Sequence, residues 1–277
     1  MHIALILLLI VVCLLLLLLC YLLKPVKATN QQIAPFYHRN FAHRGLHTKN
    51  KRVPENSTTA FLHAVNNNYG IELDLQFSKD FQIVVFHDDT LTRVCGVNKR
   101  VDELTFDELQ QLSLCQTKER IPRFSDVLNI VNGKVPLIVE IKTGRNNQRL
   151  CEATYNMLKD YRGDYCIESF DPFIVKWFRM NAPHILRGQL SAPYSSLKKE
   201  LNSFQAFFLG NCLSNFISRP NFIAYDKIRM PFTVKLAYSL GAMPIVWTVR
   251  DTDPIELIES KNEAVIFEFY HPTSQYD

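Results

Sequence analysis

The chain has 277 residues, of which 47% are hydrophobic and 21% are charged, and this composition excludes a largely disordered protein. Its 31 basic and 27 acidic residues leave a formal charge of +4, and the basic residues are scattered, which argues against a nucleic-acid-binding face. Five of the seven cysteines lie beyond the N-terminal apolar run. They are widely spaced, odd in number and form no CxxC pair, so we expect free thiols rather than a disulfide framework.

The N-terminus is dominated by an apolar run of 21 uncharged residues, 3–23. A membrane-spanning helix needs about 20 such residues, whereas the apolar part of a signal peptide has roughly 7–15. No basic residue precedes the run, so we interpret residues 1–23 as a retained transmembrane anchor. The alternative is a cleaved signal, because Val26, Lys27 and Ala28 imitate a cleavage site, but the charge of Lys27 argues against cleavage.

The orientation of this anchor rests on the charges that follow it. Lys24, Lys27 and Arg39 load the C-terminal flank with positive charge, and basic flanks tend to stay in the cytoplasm. The unpaired cysteines favour the same compartment. We therefore expect a single-pass membrane protein with its large domain in the cytoplasm, and an outward-facing domain stays open as the alternative.

After a Pro-punctuated segment, 24–40, which we interpret as a linker, residues 41–277 show the pattern of one domain in which strands alternate with helices. The predicted strands lie around 40–43, 71–77, 83–87, 137–142, 166–170, 185–190, 222–226, 244–249 and 264–269. The clearest helical patterns are 56–67, 146–160, 172–180, 232–240 and 253–260. Such alternation is typical of a parallel α/β fold.

The number of strands bears on the architecture. Only residues 78–82 join the second predicted strand to the third, whereas a parallel crossover needs about a dozen or more residues. These two strands must therefore form an antiparallel hairpin, which leaves eight parallel strands and predicts a (β/α)8 TIM barrel. The alternative is an open doubly wound sheet, which would usually carry a Gly-rich loop after its first strand, and Gly45 stands alone there.

Two segments interrupt the alternation of strands and helices. Residues 88–124 separate the hairpin from the next parallel strand, and we expect them to form a small cap over the barrel mouth. Residues 203–221 are rich in aromatic side chains. We expect a buried helix there, and the alternative is an apolar surface that faces a bilayer.

Carboxylates mark the ends of two predicted strands. Glu72 and Asp74 are two residues apart on a strand, so they project from the same face, and Glu140 ends the next parallel strand. Side-by-side carboxylates in a protein interior repel each other unless a cation or a shared proton compensates. Three such groups without a neighbouring cysteine or histidine predict a hard divalent cation, Ca²⁺ or Mg²⁺. Rim charges paired with Arg or Lys are the alternative.

Histidines and basic residues complete the predicted site. His43 and His87 follow separate strands, and two imidazoles that titrate near neutrality suit the base and the acid of a phosphodiester cleavage. Arg44 and Lys142 supply fixed positive charge for phosphate oxygens. All these residues lie at the C-terminal ends of strands, which is the active-site face of a TIM barrel.

Five short motifs in series resemble the glycerophosphodiester phosphodiesterase family: His43-Arg44-Gly45, Pro54-Glu55-Asn56, Glu72-Leu73-Asp74, His87-Asp88 and Glu140-Ile141-Lys142. The resemblance spans roughly residues 40–270, and the leader composition is similar to that of Gram-positive, membrane-anchored members. It implies a TIM barrel with an insertion after the His-Asp motif.

The same resemblance implies roles for individual residues. Its metal ligands would be Glu72, Asp74 and Glu140, with His43 and His87 as the acid–base pair. The phosphate would contact Arg44 and Lys142, the glycerol side would be lined by Trp247 and Phe170, and Glu55 would stand beside the metal cluster. The family mechanism implies attack by the glycerol 2-hydroxyl, a cyclic phosphate, and its opening by water to glycerol 3-phosphate.

Departures from the family pattern lie at the predicted barrel rim. Arg250 follows Trp247-Thr248-Val249 where many members carry Asn, and the last strand ends in Glu268-Phe269-Tyr270 rather than Thr-Asp. These residues put the choice of substrate in doubt, not the reaction. A lysophospholipase-D-like or phosphoinositide-cleaving barrel that acts on lipids is the first alternative, and a non-catalytic anchored binding module is the second. The head group, the metal and the oligomeric state stay open.

Overall fold

The computed structural model describes residues 2–227 and 229–276, and in this part of the chain nine strands form one sheet. The strands are β1 (Arg39–Ala42), β2 (Gly70–Phe77), β3 (Ile83–Val85), β4 (Leu137–Ile141), β5 (Tyr165–Ser169), β6 (Arg187–Ser191), β7 (Phe222–Asp226), β8 (Met243–Val249) and β9 (Ala264–Phe267). Parallel pairing runs from β1 through β2 and β4 around to β9, which pairs with β1 again. The predicted (β/α)8 TIM barrel is therefore confirmed, and the open doubly wound sheet is wrong.

Helices connect the strands and surround the barrel. They are α1 (His2–Leu23), α2 (Asn30–Ile33), α3 (Thr58–Asn66), α4 (Thr92–Cys95), α5 (Phe106–Leu109), α6 (Phe124–Val131), α7 (Asn147–Leu158), α8 (Pro172–Asn181), α9 (Tyr194–Leu197), α10 (Ser203–Gly210), α11 (Asn215–Ser218), α12 (Phe232–Ser239) and α13 (Ile255–Glu259). Short 3₁₀ turns lie at Val101–Glu103 and Leu114–Gln116.

The hairpin predicted from the short 78–82 connection is present. Strand β3 pairs with β2 in antiparallel register, with Leu75 opposite Val85 and Phe77 opposite Ile83. Alternation along β2 sends Ile71, Leu73 and Leu75 into the apolar layer between the barrel and its helices. The other face of β2, with Glu72 and Asp74, therefore faces the barrel interior.

Residues between α1 and β1 pack against the N-terminal end of the barrel. Ala28, Ile33 and the buried Phe36 join an apolar cluster with Phe41 and Met243. The capping box of α2, in which Thr29 and Gln32 bond each other's backbone, orders the same segment. Residues 28–36 are thus part of the barrel packing rather than a free linker.

Residues 88–124 form a compact unit with its own apolar cluster. Leu91, Val94, Leu104, Leu109 and Ile121 pack together there, next to β3. The cluster shows that these short helices bury their apolar side chains against one another and not in the main core. Residues 88–124 therefore form a unit with its own small core between the hairpin and β4.

The prediction of a buried helix in 203–221 is wrong. Helix α10 buries only its small residues, Ala206 and Gly210, and leaves Phe204 and Phe207 exposed. The aromatic richness of this segment suggested burial, but the side that packs on the barrel is filled by small side chains.

Helix α1 is long and apolar enough to cross a membrane, and a signal sequence near the N-terminus would pass the same test. Only its last turn touches the barrel. Leu19 and Leu23 pack into a cluster with Cys212, Ile223 and Val234. In the described residues all cysteines are free, as the spacing predicted.

Candidate active site

Three carboxylates meet inside the barrel near the C-terminal ends of its strands. Asp74 on β2 lies in register with Glu140 on β4, and Glu72 precedes Asp74 by two residues on the same face. One ligand oxygen from each residue lies within 4.8 Å of the others, and all three side chains are buried. The structure thus brings together the three residues that the sequence proposed as one group.

The pKa values of the three carboxylates shift in different directions. Burial and the neighbouring Asp74 raise the pKa of Glu72 well above its usual value. Burial also raises the pKa of Glu140, although Lys142 opposes it. For Asp74, burial acts in the same direction but is outweighed by His87, Lys142 and Arg44, so its pKa is lowered. Holding all three ionised therefore requires additional positive charge.

The residues present fit a divalent cation. The donors are carboxylate oxygens, the chemistry that Ca²⁺ and Mg²⁺ prefer, and Asp74 Oδ1 is buried without a hydrogen bond. Asn56 donates from Nδ2 to Asp74 Oδ2 at 2.8 Å and so fixes the other oxygen of this carboxylate. Both ions take oxygen ligands of this kind.

A fourth buried carboxylate, Glu168, was not among the predicted site residues. It lies on β5 in register with Glu140, lines the same cavity, and leaves Oε2 without a hydrogen-bond partner. Burial and the charge of Glu140 raise its pKa well above the usual value. The available signal was its position two residues before Phe170, on a strand whose partner carries Glu140 in register.

His43 is held in a network that the last strand supplies. Its Nε2 lies 4.0 Å from Glu72 Oε2, and its Nδ1 lies 3.5 Å from Glu268 Oε1. The same Glu268 contacts His47 Nε2 at 3.1 Å and accepts hydrogen bonds from Arg250 at 2.6 and 3.0 Å. Burial and then Arg44 lower the pKa of His43 to about 4, so this imidazole is neutral at physiological pH.

Glu268 and Arg250 were noted in the sequence as departures from the family pattern without a role in the site. The structure places them together behind His43, where the carboxylate contacts the imidazole and the guanidinium contacts the carboxylate. Their pairing joins β9 to the end of β8, so no local pattern could have revealed it. His43, His47 and Glu268 also form a second group with metal-ligand geometry.

His87 follows β3 and belongs to a second network. Its Nδ1 lies 2.6 Å from Asp88 Oδ1, and Arg93 donates to both oxygens of Asp88. Burial of Asp88 is outweighed by the His87 and Arg93 hydrogen bonds, which lower its pKa. Gln76, on β2, donates hydrogen bonds from Nε2 to the backbone carbonyls of Phe86, His87 and Asp88. The loop that carries His87 is thus tied to β2.

Glu55, expected beside the carboxylate group, contacts Arg44, which also contacts Asp74. Its two oxygens accept hydrogen bonds from Arg93 at 2.7 Å, and Oε1 also accepts one from Arg44 at 2.7 Å. These guanidinium groups outweigh the burial of Glu55 and lower its pKa to about 2. Glu55 therefore links Arg93, in the 88–124 segment, to Arg44.

Both predicted phosphate-binding cations contact the carboxylate group. Arg44 Nε lies 3.6 Å from Asp74 Oδ2, and Lys142 Nζ lies 2.8 Å from Glu140 Oε1 and 3.5 Å from Asp74 Oδ1. Arg44 adopts a left-handed backbone conformation with φ of 53°, and its N–H donates to Glu72 Oε2. The turn after β1 therefore fixes the carboxylate of Glu72 through the Arg44 backbone and places the Arg44 side chain beside the carboxylate group.

An open cavity of about 320 Å³ joins these groups. Its lining includes His43, Arg44, Glu72, His87, Glu140, Lys142, Glu168, Phe170, Leu190, Glu200, Trp247 and Ile266. The Phe170 and Trp247 rings meet edge to face, 5.8 Å apart, and Trp247 Nε1 donates to the Ala224 carbonyl. The cavity is thus lined by charged side chains and by two aromatic rings.

Comparison with known proteins identifies the family of this chain. The model of the glycerophosphoryl diester phosphodiesterase family matches residues 43–271. YhdW of Bacillus subtilis, a provisionally named glycerophosphodiester phosphodiesterase, is 31% identical over 244 residues, which cover 81% of this chain and 98% of YhdW. Human lysophospholipase D GDPD1 is 32% identical over 143 residues, which cover 47% of this chain and 44% of the human protein.

Solved structures show the same fold. A phosphodiesterase from Oleispira antarctica, determined with its product sn-glycerol-3-phosphate, superposes with a TM-score of 0.69 at 20% identity and covers 86% of this chain and 96% of its own. The family match spans most of the barrel, and its first matched residue is His43. The chain therefore belongs to the glycerophosphoryl diester phosphodiesterase family.

Proposed function

We propose that this chain hydrolyses glycerophosphodiesters to glycerol 3-phosphate and an alcohol, with His43 and His87 as the acid–base pair. The observation that carries the proposal is the single cavity at which both histidines meet the carboxylate group, Arg44 and Lys142. Family membership supports the reaction class, and the geometry supports the division of roles among the residues.

His43 is the proposed general base of the first step. It is neutral at physiological pH and can take the proton of the glycerol 2-hydroxyl as that oxygen attacks phosphorus. Glu268, 3.5 Å from Nδ1, orients the ring and stabilises the imidazolium that forms. The bond from phosphorus to the departing alcohol breaks in this step, and a cyclic phosphate remains.

His87 is the proposed general acid. Its Nδ1 is engaged by Asp88, which leaves Nε2 free to give a proton to the departing alkoxide. In the second step the roles reverse: His87 takes a proton from water as the water oxygen attacks phosphorus. His43 returns its proton to the 2-oxygen as the ring opens, so protons and bonds balance over the cycle.

Positive charge supports both steps. Arg44 and Lys142 would contact the non-bridging phosphate oxygens. Glu72, Asp74 and Glu140 would hold a divalent cation, Ca²⁺ or Mg²⁺, which supplies further charge to the phosphate when bound. Trp247 and Phe170 form an apolar wall that suits the carbon skeleton of the glycerol.

A substrate panel tests the proposal. Purified full-length enzyme in detergent should release choline from glycerophosphocholine and ethanolamine from glycerophosphoethanolamine, with glycerol 3-phosphate as the second product. Chelation should stop turnover, and Ca²⁺ or Mg²⁺ should restore it. No release of glycerol 3-phosphate from any glycerophosphodiester would refute the proposed reaction.

A lyso-lipid is the second candidate substrate. The apolar helix α1 and the similarity to human lysophospholipase D GDPD1 favour it. The same panel separates the two classes, because exclusive turnover of lysophosphatidylcholine would replace the glycerophosphodiester assignment.

We also propose that α1 is a retained single-pass anchor and that the barrel lies in the cytoplasm. The length and hydropathy of α1 support an anchor, and the basic flank supports the orientation. Protease treatment of intact cells tests the orientation. Degradation of the barrel from outside would place it on the other side of the membrane.

A further inference from the structure

Helix α10 presents an aromatic face to solvent. Phe204 and Phe207 are 68% and 51% exposed, and Phe208 links them through ring contacts at 4.4 and 6.1 Å. Exposed apolar patches on folded proteins mark contact with a membrane or a partner more often than single exposed residues do. This face lies in the 203–221 segment, for which an apolar surface that faces a bilayer was the alternative to a buried helix.

The opposite side of α10 supports the wall of the active-site cavity. Ala206 packs with Ala192 and Leu197, and the same small cluster contacts Phe170 and Trp247. Glu200, in the turn between α9 and α10, lines the cavity itself. The aromatic face therefore lies directly behind one side of the mouth.

Helix α1 joins the barrel at α11 and α12, the two helices that follow α10 in the chain. Its last turn packs against α11 and α12, with Leu23 buried in the cluster that contains Cys212 and Val234. Asn215 donates to the Leu23 carbonyl, and Arg219 donates to the Tyr21 carbonyl. Only residues 211–214 separate α10 from α11. The proposed anchor is thus attached at α11, the helix that directly follows α10 in the chain.

Positive charge gathers in the same part of the chain. Residues 192–242 contain six basic and two acidic residues, so this segment carries the whole formal charge of +4. Four of the basic residues are exposed in the structure: Lys198, Lys199, Arg229 and Lys235. Basic residues next to exposed aromatic rings are typical of surfaces that bind anionic lipid headgroups.

We propose that the aromatic face of α10, Phe204 with Phe207 and Phe208, is an interfacial membrane-binding surface. It inserts into the same anionic bilayer that carries α1 and holds the active-site mouth at the lipid surface. The membrane contact rests on the proposed anchoring of α1, and its kinetic consequence rests also on turnover of lyso-lipids, the second candidate substrate class. Its consequence is that lipid-bearing phosphodiesters reach the cavity without leaving the headgroup region.

Tryptophan quenching in nanodiscs tests the contact directly. Full-length protein would be placed in discs of phosphatidylcholine and phosphatidylglycerol, with and without brominated acyl chains. We expect the emission added by Phe207→Trp to be lost in brominated discs. Leu62→Trp, on α3 across the barrel and 41% exposed, is the matched control and should keep its emission. Leu9→Trp, within α1, is the positive control.

The outcomes separate the possibilities. Quenching of Leu9→Trp without quenching of Phe207→Trp would overturn the membrane-binding surface and leave the anchor intact. Blue-shifted but unquenched emission of Phe207→Trp would indicate a protein partner, such as a second copy, and would also overturn it. If Leu9→Trp were unquenched, anchor and surface would both be wrong.

A kinetic experiment measures the consequence. Phe204→Ser combined with Phe207→Ser should raise KM for a lyso-lipid presented in vesicles by roughly tenfold, since about 1.4 kcal/mol of contact energy corresponds to that factor. Turnover of soluble glycerophosphocholine should not change. Leu62→Ser with Met180→Ser, also exposed apolar residues, is the control pair. An equal loss on both substrates, or in the control pair, would contradict the inference.

Discussion

Removal of the divalent cation should destabilise the barrel, and more so as pH rises. Three buried carboxylates, Glu72, Glu140 and Glu168, line the cavity with the cations Arg44 and Lys142, and the buried Asp74 lies against the same group. If all four ionise, the site lacks two positive charges, which is the charge of one Ca²⁺ or Mg²⁺. Without the ion the carboxylates with raised pKa can hold protons instead.

The direction of the pH dependence of stability follows from proton linkage. A carboxylate whose pKa is raised in the folded state binds its proton more tightly there than in the unfolded chain. Its contribution to stability is therefore present below the unfolded pKa and is lost as pH rises through the folded pKa. Glu72 and Glu168 both have strongly raised pKa values, so the metal-free protein should lose stability from mildly acidic to alkaline pH. A bound cation removes this loss.

The expected size of the stabilisation by bound metal follows from mass action. A ligand at a hundredfold excess over its Kd stabilises the folded state by about 2.7 kcal/mol. For a domain of this size, roughly 2–4 °C of Tm corresponds to each kcal/mol, so saturation should raise Tm by about 5–10 °C. This rise in Tm can be measured by differential scanning fluorimetry of the full chain in detergent, with metal or with chelator, across about pH 5.5–8.5.

A matched variant sharpens this test. Glu72→Gln removes one ligand and one buried negative charge, so its Tm should respond less to metal and should exceed the wild-type Tm in chelator at alkaline pH. Equal Tm values of the wild type with metal and with chelator at alkaline pH would refute the reasoning from charge balance.

Three further outcomes follow from the site. His43→Ala should lower kcat by about 10²–10⁴-fold without changing the metal-dependent rise in Tm, and near-normal turnover would show that His43 is not the base. Glu268→Gln should lower kcat for glycerophosphocholine by about 10–100-fold with little change in KM, and a change confined to KM would contradict a role in positioning His43. Trp247→Ala should raise KM by about tenfold, because the substrate loses an apolar contact in the pocket. An unchanged KM would show that Trp247 does not line the glycerol side of the cavity.

Much of the barrel was accessible from local patterns. The short 78–82 connection forced the hairpin, and the alternation of Ile71, Glu72, Leu73 and Asp74 assigned each side chain to a face of β2. These inferences succeeded because crossover length and strand periodicity are local properties. The convergence of His43, Glu72 and Glu140 followed from them, since the carboxyl ends of parallel strands meet at one rim.

Other features depend on partners far apart in sequence. Glu55 is bound by Arg93 of the 88–124 segment, and His43 contacts Glu268, which follows the last strand. Glu168 was marked in the sequence only by its position two residues before Phe170, which does not by itself assign a carboxylate to the site. Its role follows from lying in register with Glu140 on the adjacent strand.

By itself, the sequence determined the fold class, the apolar N-terminal helix and the face on which the chemical residues gather, because each depends on spacing along the chain. Only the tertiary structure decided which charges compensate one another and which apolar side chains stay exposed. Helix α10 shows the difference most clearly. Its composition indicated burial, but the small residues Ala206 and Gly210 fill its contact with the barrel, so Phe204 and Phe207 are left at the surface.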